Sequence, residues 1–345
     1  MTESEKESNA GKGLVSHMIY GKTGGNADGR AGRSKAERKP DIVLQTDFGA
    51  DSGYAAAMYG VIRTADRELN IFDLTHEIRP FDIRQASGML MRTVPFWPPG
   101  TIFVSVVDPG VGTERRACAA RLKNGSCIIT PDNGTLTELF PFIEEVRQID
   151  EKKNRFPAEK LLMWEKAAAE SGEEMPDFGG STFDGRDLFA WCAAGLASGI
   201  IGFCDDGIGP AYSREEIVRY TKNAPEIAEN HVECEIADVE SRFGGIALSV
   251  RAKQLSEAGI EPGGTVCISV RRKGELLYEG NAVYGTSFAS ALPGEPVLCA
   301  GSAGGTLFLS LNRGSFAGTY LPELYRPGEK FSSYRVVVNG VAIKK

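Results

Sequence analysis

Short apolar runs rich in β-branched residues alternate with segments of helical spacing from residue 41 onward. This alternation is typical of βαβ units, in which helices connect the parallel strands of one sheet. The pattern predicts strands and helices in turn at 41–46, 54–64, 70–74, 83–93 and 101–107. Runs at 117–122 and 126–130 flank an Asn-Gly pair, which predicts a β-hairpin, and a helix is predicted from about Thr135.

The pattern changes twice further along the chain. Residues 151–180 are rich in Lys, Glu and Ala, and we interpret them as a surface insertion with one amphipathic helix. An apolar run then predicts a buried helix over 186–203, which is too short to cross a membrane. Beyond it, turn residues separate short predicted strands at 232–239, 245–252, 265–271, 275–283, 296–300, 306–312 and 334–341.

These patterns predict two folded domains preceded by a tail. Residues 41–228 are expected to form an N-terminal α/β domain with a mostly parallel sheet flanked by helices. Residues 229–345 are expected to form a smaller all-β, barrel-like C-terminal domain. Residues 1–40 hold seven Gly and lack the continuous apolar core of a signal peptide, so we expect a disordered tail.

Charge and cysteine usage exclude several classes of function. The 345 residues include 39 Lys and Arg against 46 Asp and Glu, a formal charge of −7. Without the eight basic and five acidic residues of 1–40 the charge is −10, which argues against a nucleic-acid partner. The seven cysteines form no Cys-x-x-Cys pair, which favours free thiols in a reducing cytoplasm. Three histidines are too few for a multi-histidine metal site, whereas a carboxylate-held Mg²⁺ stays open without a distinctive spacing to support it.

Acidic residues follow three of the predicted strands. They are Asp47, Asp108 and the Asp132–Asn133 pair. Each alone could be a turn or helix-cap residue, but the carboxyl ends of parallel strands meet at one edge of a sheet, so together they suggest a shared acidic crevice. Pro-Gly-Val-Gly follows Asp108 and must bend sharply, which allows Arg115 to fold back over that carboxylate. A second cluster at 181–187 contains Asp184, for which a helix N-cap is the simpler alternative.

Several long motifs carry a family resemblance. ThrAspPheGly (46–49), AspLeuThrHisGluIle (73–78), ProPheAspIleArgGlnAla (80–86), ValAspProGlyValGlyThrGluArgArg (107–116), ProAspAsnGlyThrLeuThr (131–137) and SerThrPheAspGlyArgAsp (181–187) resemble the S-adenosylmethionine hydroxide adenosyltransferase family. Fluorinase and chlorinase are halogenating relatives of that family. The resemblance is dense over about 41–137, clear over 181–203, and thinner in the C-terminal region.

The resemblance implies an α/β domain, a β-barrel domain, and a homotrimer that binds its small-molecule substrate between subunits. It implies attack of water or hydroxide on C5′ of S-adenosylmethionine, which releases adenosine and L-methionine, with no metal or redox cofactor. Asp108, Arg115 and Asp184 fall at the positions of the family's catalytic Asp-Arg-His triad. Asp47 would bind the ribose hydroxyls, Phe81 and Phe183 would wall the nucleoside pocket, and the other substrate-binding residues implied are Asn133, Gly185, Glu240, Phe243, Ser302 and Asn312.

Two departures from the family pattern leave alternatives open. Asp184 stands where the family has His, and Gly245 stands where an adenine-binding Asn is expected. An Asp-Arg-Asp set can still hold an oxygen nucleophile and accept its proton, but it could also mark a weakened enzyme or a non-catalytic nucleoside-binding protein. A carboxylate–metal hydrolase that shares only the fold is a further alternative. A halogenase is disfavoured, since a halide about 5 Å from each of two carboxylates meets roughly 3 kcal/mol of repulsion per pair at a dielectric near 20.

Overall fold

The computed structural model describes residues 38–174, 182–301, 306–326 and 328–341. These residues belong to one compact unit, Lys39–Lys345, which contains two sheets. The predicted tail lies almost wholly outside the described residues, as do residues 175–180 of the predicted insertion and residue 181 after it. Within the described part of the chain, no helix is both long and apolar enough to span a bilayer.

The first sheet has seven strands in the order β2-β1-β3-β5-β4-β6-β7. Strands β2, β1, β3 and β5 are parallel, and the pairings beyond β5 are antiparallel. The elements of this region are β1 (Ile42–Thr46), α1 (Tyr54–Ala65), β2 (Ile71–Thr75), α2 (Ile83–Thr93), β3 (Ile102–Val106), β4 (Ala117–Leu122), β5 (Cys127–Pro131), β6 (Ile143–Gln148), α3 (Leu162–Ser171), α4 (Trp191–Ala197) and β7 (Ala211–Tyr212).

Strands β1, β3 and β5 are buried on both faces, which explains their mostly apolar sequence, whereas β2 at the sheet edge is partly exposed. Successive side chains of a strand point to opposite faces, so Ile42 and Leu44 of β1 pack with α1 and α4, whereas Val43 packs with Leu90 of α2. The sheet is therefore covered by helices on both sides, and the predicted α/β fold class is confirmed.

The strand order reverses at β1. The chain passes from β1 to β2 on one side and then returns to place β3 on the other side of β1. Crevices at such a switch point, outside the carboxyl ends of the strands, are the usual ligand sites of α/β sheets. Asp47 follows β1 and Asp108 follows β3 by two residues, so these two carboxylates flank the crevice.

Two local predictions in this region are wrong. No α-helix begins at Thr135; turns and a short 3₁₀ segment, Phe140–Phe142, lead into β6 instead, and Pro141 is unfavourable in the interior of an α-helix. The helix predicted within 151–180 exists as α3, but it is not amphipathic in its packing. None of its residues is buried, and Met163 and Trp164 are 73% and 62% exposed.

The second sheet closes on itself into a seven-strand barrel. Its order is β10-β14-β13-β12-β11-β15-β9, and β10 also pairs with β9, while β8 extends the sheet beyond β9. The strands are β8 (Glu226–Ala228), β9 (His231–Val239), β10 (Ile246–Arg251), β11 (Thr265–Arg272), β12 (Glu275–Tyr284), β13 (Pro296–Ala300), β14 (Thr306–Leu311) and β15 (Tyr334–Gly340), with short helices α5 (Ala252–Glu257) and α6 (Phe316–Tyr320).

The predicted β strands of this region are all present, and the barrel-like second domain is confirmed as a barrel. Lys273 and Gly274 form the β11–β12 turn with φ of 49° and 90°, the positive values that a tight hairpin requires. The strands of the first sheet end at Tyr212 and those of the second begin at Glu226. The boundary at residue 228 between independently folding domains stays a prediction.

Candidate active site

A tight turn after β3 brings Arg115 back onto Asp108. The amide of Val111 donates to the carbonyl of Asp108 at 3.2 Å, and Gly112 has a φ of 78°, which favours glycine. Arg115 then donates to Asp108 Oδ2 from Nε at 2.9 Å and from Nη2 at 2.7 Å. Both side chains are less than 10% exposed, so this is a nearly buried, charge-assisted pair.

Asp184 also accepts a hydrogen bond from the Arg115 guanidinium. It precedes the π-helical stretch Gly185–Ala190 that continues into α4, but its side chain makes no cap hydrogen bond. Instead Oδ2 accepts from Arg115 Nη2 at 2.5 Å, and Oδ1 accepts from Arg155 Nη2 at 2.9 Å. The structure thus brings Asp108, Arg115 and Asp184 together and does not show the N-cap alternative for Asp184.

The electrostatics of Arg115 follow from this arrangement. Burial alone would lower its pKa, but the hydrogen bonds and charges of Asp108 and Asp184 raise the pKa of Arg115 above its ordinary value. The guanidinium is therefore a fixed cation that two carboxylates share. A single nitrogen, Nη2, donates to both of them.

Arg155 and Glu151 are site residues that sequence reasoning missed. Arg155 also contacts Glu151 at 3.1 Å, and Glu151 lies 3.8 Å from Arg115 Nη1. Both residues belong to the start of the segment interpreted as a surface insertion. Their composition resembles that of any solvated charged segment, so no sequence signal distinguished them.

Asp47 lies at the carboxyl end of β1 and receives a backbone hydrogen bond. Its Oδ2 accepts from the amide of Phe81 at 2.8 Å. Phe81 has a φ of 66°, unusual for a bulky residue, and its side chain is 70% exposed. Burial raises the pKa of Asp47 above its ordinary value; the Phe81 amide opposes this, and the nearby charge of Asp108 adds to it.

Aromatic rings cover one side of this region. Phe183 packs edge-on against Phe48 and Tyr54, with ring centroids 5.5 and 5.1 Å away. Gly185 lies against the same rings, because a Cβ there would lie 3.0 Å from atoms of both Phe183 and Phe48. Phe48 and Tyr54 were also missed, although Phe48 is part of the ThrAspPheGly motif.

The Asp132–Asn133 pair after β5 has mainly structural partners. Asn133 Nδ2 donates to the carbonyl of Val107 at 2.8 Å, which ties the end of β5 to the end of β3. Asp132 is 4% exposed and accepts from Tyr212 and from the Val218 amide. Burial raises the pKa of Asp132, and these partners and Arg116 oppose it. Asn133 thus borders the crevice, whereas Asp132 anchors the chain that follows β7.

A histidine network supports the loop that carries Asp47. His76 is 8% exposed; its Nδ1 is 2.8 Å from Thr46 Oγ1 and its Nε2 is 3.0 Å from Asp73 Oδ1. Tyr59 donates to the same Asp73 oxygen at 2.5 Å. This network joins the ends of β1 and β2, beside Asp47.

The predicted residues of the barrel region contact their own loops. Glu240 Oε2 accepts from the Phe243 amide at 2.5 Å within the β9–β10 turn, and the Phe243 ring is 72% exposed. Asn312 donates to the carbonyl of Ala291 at 2.7 Å. Among the described residues, no hydrogen bond or ion pair connects these side chains with Asp108, Arg115 or Asp184. Ser302 lies outside the described residues.

Packing against β14 explains why glycine occupies position 245 in this structure. A Cβ there would lie 2.5 Å from Ser310 Oγ on β14, closer than atoms can approach. The asparagine expected from the family pattern would fit at this position only if the Ser310 hydroxyl rotated away. A residue other than 245 must supply any adenine contact from this turn.

Metal ligands are not clustered in the described ranges. No group of three or more His, Cys, Asp or Glu side chains there is arranged to hold an ion. The carboxylates of Asp108 and Asp184 instead take guanidinium partners. The seven cysteines are free thiols, five of them buried.

Fold and site together define a protein with an α/β region, a β-barrel region and a carboxylate–guanidinium site at the switch point. A family model described as the SAM hydroxide adenosyltransferase N-terminal domain matches residues 42–202. The (R)-S-adenosyl-L-methionine hydrolase of Thermus thermophilus is 32% identical over 276 residues, which cover 79% of this chain and 92% of the relative. The chain belongs to the S-adenosylmethionine hydroxide adenosyltransferase family.

Two further comparisons extend this result. The fluorinase of Nocardia brasiliensis is 24% identical over 306 residues, covering 82% of this chain and 94% of the relative. The crystal structure of an uncharacterized conserved protein from Thermotoga maritima matches with a TM-score of 0.68 at 26% identity, over 86% of this chain and 99% of that one. The match to that chain extends over both the α/β and the barrel regions.

Proposed function

We propose that the protein hydrolyses S-adenosyl-L-methionine to adenosine and L-methionine. The observation that carries the proposal is the nearly buried Asp108–Arg115–Asp184 assembly beside Asp47, at the switch point of the sheet. Family membership and the hydrolase name of the Thermus thermophilus relative support the same reaction.

The chemistry needs positioning more than acid catalysis. Water attacks C5′ of the ribose, the O–C5′ bond forms, and the C5′–S bond breaks. The sulfonium leaves as the neutral thioether of methionine, so no general acid is needed. Arg115 Nη1 has no hydrogen-bond acceptor among the described residues and is the donor available to the oxygen nucleophile. The water proton passes to the carboxylate of Asp108 or Asp184.

The nucleoside is held beside this assembly. An ionised Asp47 accepts hydrogen bonds from the ribose hydroxyls, since a carboxylate offers two acceptor oxygens. Phe183, packed on Phe48 and Tyr54, provides an apolar wall, and the exposed ring of Phe81 covers the sugar. Asn133 borders the same crevice at the end of β5.

The working enzyme is a homotrimer whose sites lie between subunits. Among the described residues of one chain, no hydrogen bond or ion pair joins Glu240, Phe243 or Asn312 to the Asp108 assembly, and in the trimer a neighbouring copy brings a barrel turn to the crevice. The largely exposed rings of Phe81 and Phe243, which a single chain leaves uncovered, support this arrangement.

Neither metal nor redox cofactor enters this reaction, and the enzyme works in the cytoplasm. Carboxylates and a guanidinium supply every charge that the reaction uses. The free thiols fit a reducing compartment.

A nucleoside-binding protein without catalysis is the second candidate. The observation that favours it is that Arg115 already donates to Asp108 and Asp184, and Arg155 donates to Asp184, so oxygens of both carboxylates are engaged with guanidinium groups. Such a protein would retain the Asp47 and Phe183 contacts and lack turnover.

An assay with separated sulfonium epimers distinguishes the candidates. Purified protein is incubated with the R or the S epimer of S-adenosyl-L-methionine, with Mg²⁺ or with EDTA, and the products are separated by chromatography. We expect adenosine and methionine in equal amounts, unaffected by EDTA and lost in Asp108→Ala. Adenosine binding by calorimetry without product above the Asp108→Ala background would instead support the binding protein. Turnover that EDTA abolishes would support a metal hydrolase.

A further inference from the structure

We propose that Arg155 is a positioning residue for this reaction: it holds Asp184 in place and balances the second carboxylate at the site. The inference rests on the proposed function. It concerns a side chain that lies in none of the motifs that carry the family resemblance.

Arg115 alone is a poor partner for two carboxylates. Its Nε and Nη2 both donate to Asp108, and the same Nη2 is the donor to Asp184. Because both carboxylates lie within 2.7 Å of one nitrogen, their negative charges are close enough to repel each other. Asp184 would therefore turn away unless a second cation held its other oxygen.

Arg155 supplies that cation. Its Nη2 donates to Asp184 Oδ1 at 2.9 Å, so each oxygen of this carboxylate accepts a hydrogen bond from a different guanidinium group. With Arg155 included, the two carboxylates meet two guanidinium charges. Glu151, 42% exposed, accepts from Arg155 at the solvent side.

The backbone around Arg155 is anchored on both sides. Asn154 is 3% exposed, and its Nδ2 donates to the carbonyls of Asp150, Gly207 and Ile208 at 3.0–3.1 Å. On the other side, the Phe156 amide donates to the carbonyl of Asp187 at 2.7 Å, and its ring packs edge-on against Trp191. The backbone that carries Arg155 is therefore fixed on both sides, and its guanidinium is oriented by Asp184 and Glu151.

The test compares Arg155→Met and Arg155→Lys with a matched control. Arg121→Met is the control, because Arg121 is equally exposed at 36% and pairs with two carboxylates, Glu144 and Glu145, away from the site. Each full-length variant is assayed for kcat, KM and Tm with S-adenosyl-L-methionine.

We expect Arg155→Met to lower kcat about tenfold to a hundredfold while KM changes less than threefold. Arg155→Lys should recover at least part of this loss, since it restores the charge, and Arg121→Met should leave kcat within twofold. Arg155→Met should lower Tm at least as much as Arg121→Met, because Asp184 is 10% exposed whereas Glu144 and Glu145 are 58% and 23% exposed, so kcat is compared on the folded fraction of each variant.

Three outcomes overturn the inference, and only the first also overturns the proposed function. A wild-type protein without turnover overturns the proposed function and the inference with it. An active wild type whose Arg155→Met variant keeps kcat within twofold, or loses kcat only in proportion to unfolded protein, overturns the inference alone. Failure of Arg155→Lys to exceed Arg155→Met would also contradict it, because a positioning cation should be partly replaceable.

Discussion

The α/β region and the barrel region differ in how they hold their predicted site residues. In the α/β region, Asp108 and Arg115 from one turn meet Asp184 from a distant segment in one nearly buried cluster. In the barrel region, Glu240 and Asn312 hydrogen-bond to backbone groups of their own loops, and Phe243 lies mostly in solvent. One chain thus brings the predicted charged residues together, and among its described residues no hydrogen bond or ion pair joins the predicted barrel residues to them.

This difference separates two physical requirements. Charges that must be desolvated need partners within the same chain, because an unpaired buried carboxylate is costly during folding. Apolar and hydrogen-bonding surface that binds a nucleoside can stay exposed in one chain until a neighbouring copy covers it, since its exposure costs little folding free energy. The charged cluster of the α/β region and the exposed residues of the barrel region can be tested separately.

The largest effect is expected at Arg115. Arg115→Met removes the cation that two nearly buried carboxylates share, so we expect kcat to fall about 10²–10³-fold, as for other lost electrostatic contacts. Removing one partner of a buried ion pair should also cost about 3–5 kcal/mol of folding free energy. Steady-state kinetics and urea unfolding check both. A variant with unchanged kcat would show that the cluster is structural.

The barrel half should respond in affinity and not in stability. Phe243→Ala truncates a ring that is 72% exposed in one chain, so Tm should not change, but KM should rise about tenfold if a neighbouring copy brings the ring to the substrate. Phe96→Ala is the control, because Phe96 is 75% exposed and lies in none of the predicted contacts. Equal KM values for the two variants would argue against a shared site.

Asp47 should give the reaction a pH dependence in KM. Because burial raises its pKa, the carboxylate is protonated at a higher pH than an exposed aspartate, and a protonated group no longer accepts both ribose hydrogen bonds. As pH falls through this raised pKa, KM should increase, and Asp47→Asn should have a high KM that no longer varies with pH. An identical dependence of KM on pH in the variant would show that the Asp47 carboxylate does not bind the substrate.

The same shift has a consequence for stability. A carboxyl whose pKa is higher in the folded than in the unfolded state stabilises the fold only at low pH, and that contribution is lost as pH rises through the folded pKa. At neutral pH, Asp47→Asn should therefore keep or slightly raise Tm, by about 0–3 °C, while activity falls. A lower Tm would show that the carboxylate is net stabilising.

The smallest effect is expected at the aromatic wall. Gly185→Ala places a Cβ 3.0 Å from Phe183 and Phe48, so the rings must move by a few tenths of an ångström. We expect about 1–2 kcal/mol of destabilisation and a severalfold rise in KM. Tm and KM test this, with Gly88→Ala as control, since a Cβ there meets only the flexible end of Arg92 at 3.4 Å.

Sequence patterns predicted the parts of this site that depend on local order. Asp47 and Asp108 each follow a strand within two residues, and parallel strands bring such positions to one edge. The Asp108–Arg115 contact depends on one turn and could be anticipated. The contact between Asp184 and Arg115 joins segments 69 residues apart, so local order could not predict it. Asp184 was predicted from the family motif that contains it.

Other parts depended on packing that the pattern did not reveal. Arg155 sits in a polar segment whose role is set by Asn154 reaching the carbonyls of Gly207 and Ile208, more than 50 residues away. The predicted helix at Thr135 was wrong: residues 135–139 form turns, and Pro141 lies in the 3₁₀ segment Phe140–Phe142 that leads into β6. If a second copy of the chain supplies the contacts to adenine, as we propose, those contacts could not be predicted from one chain.

Hydrolysis in H₂¹⁸O tests the central claim most directly. If water attacks C5′ of S-adenosyl-L-methionine at the Asp108–Arg115–Asp184 cluster, mass spectrometry should find one ¹⁸O in the 5′-hydroxyl of adenosine and none in methionine. Asp108→Asn, which keeps the shape but not the charge, should lose nearly all labelled product. Adenosine without ¹⁸O, or equal labelling in Asp108→Asn, would contradict the account.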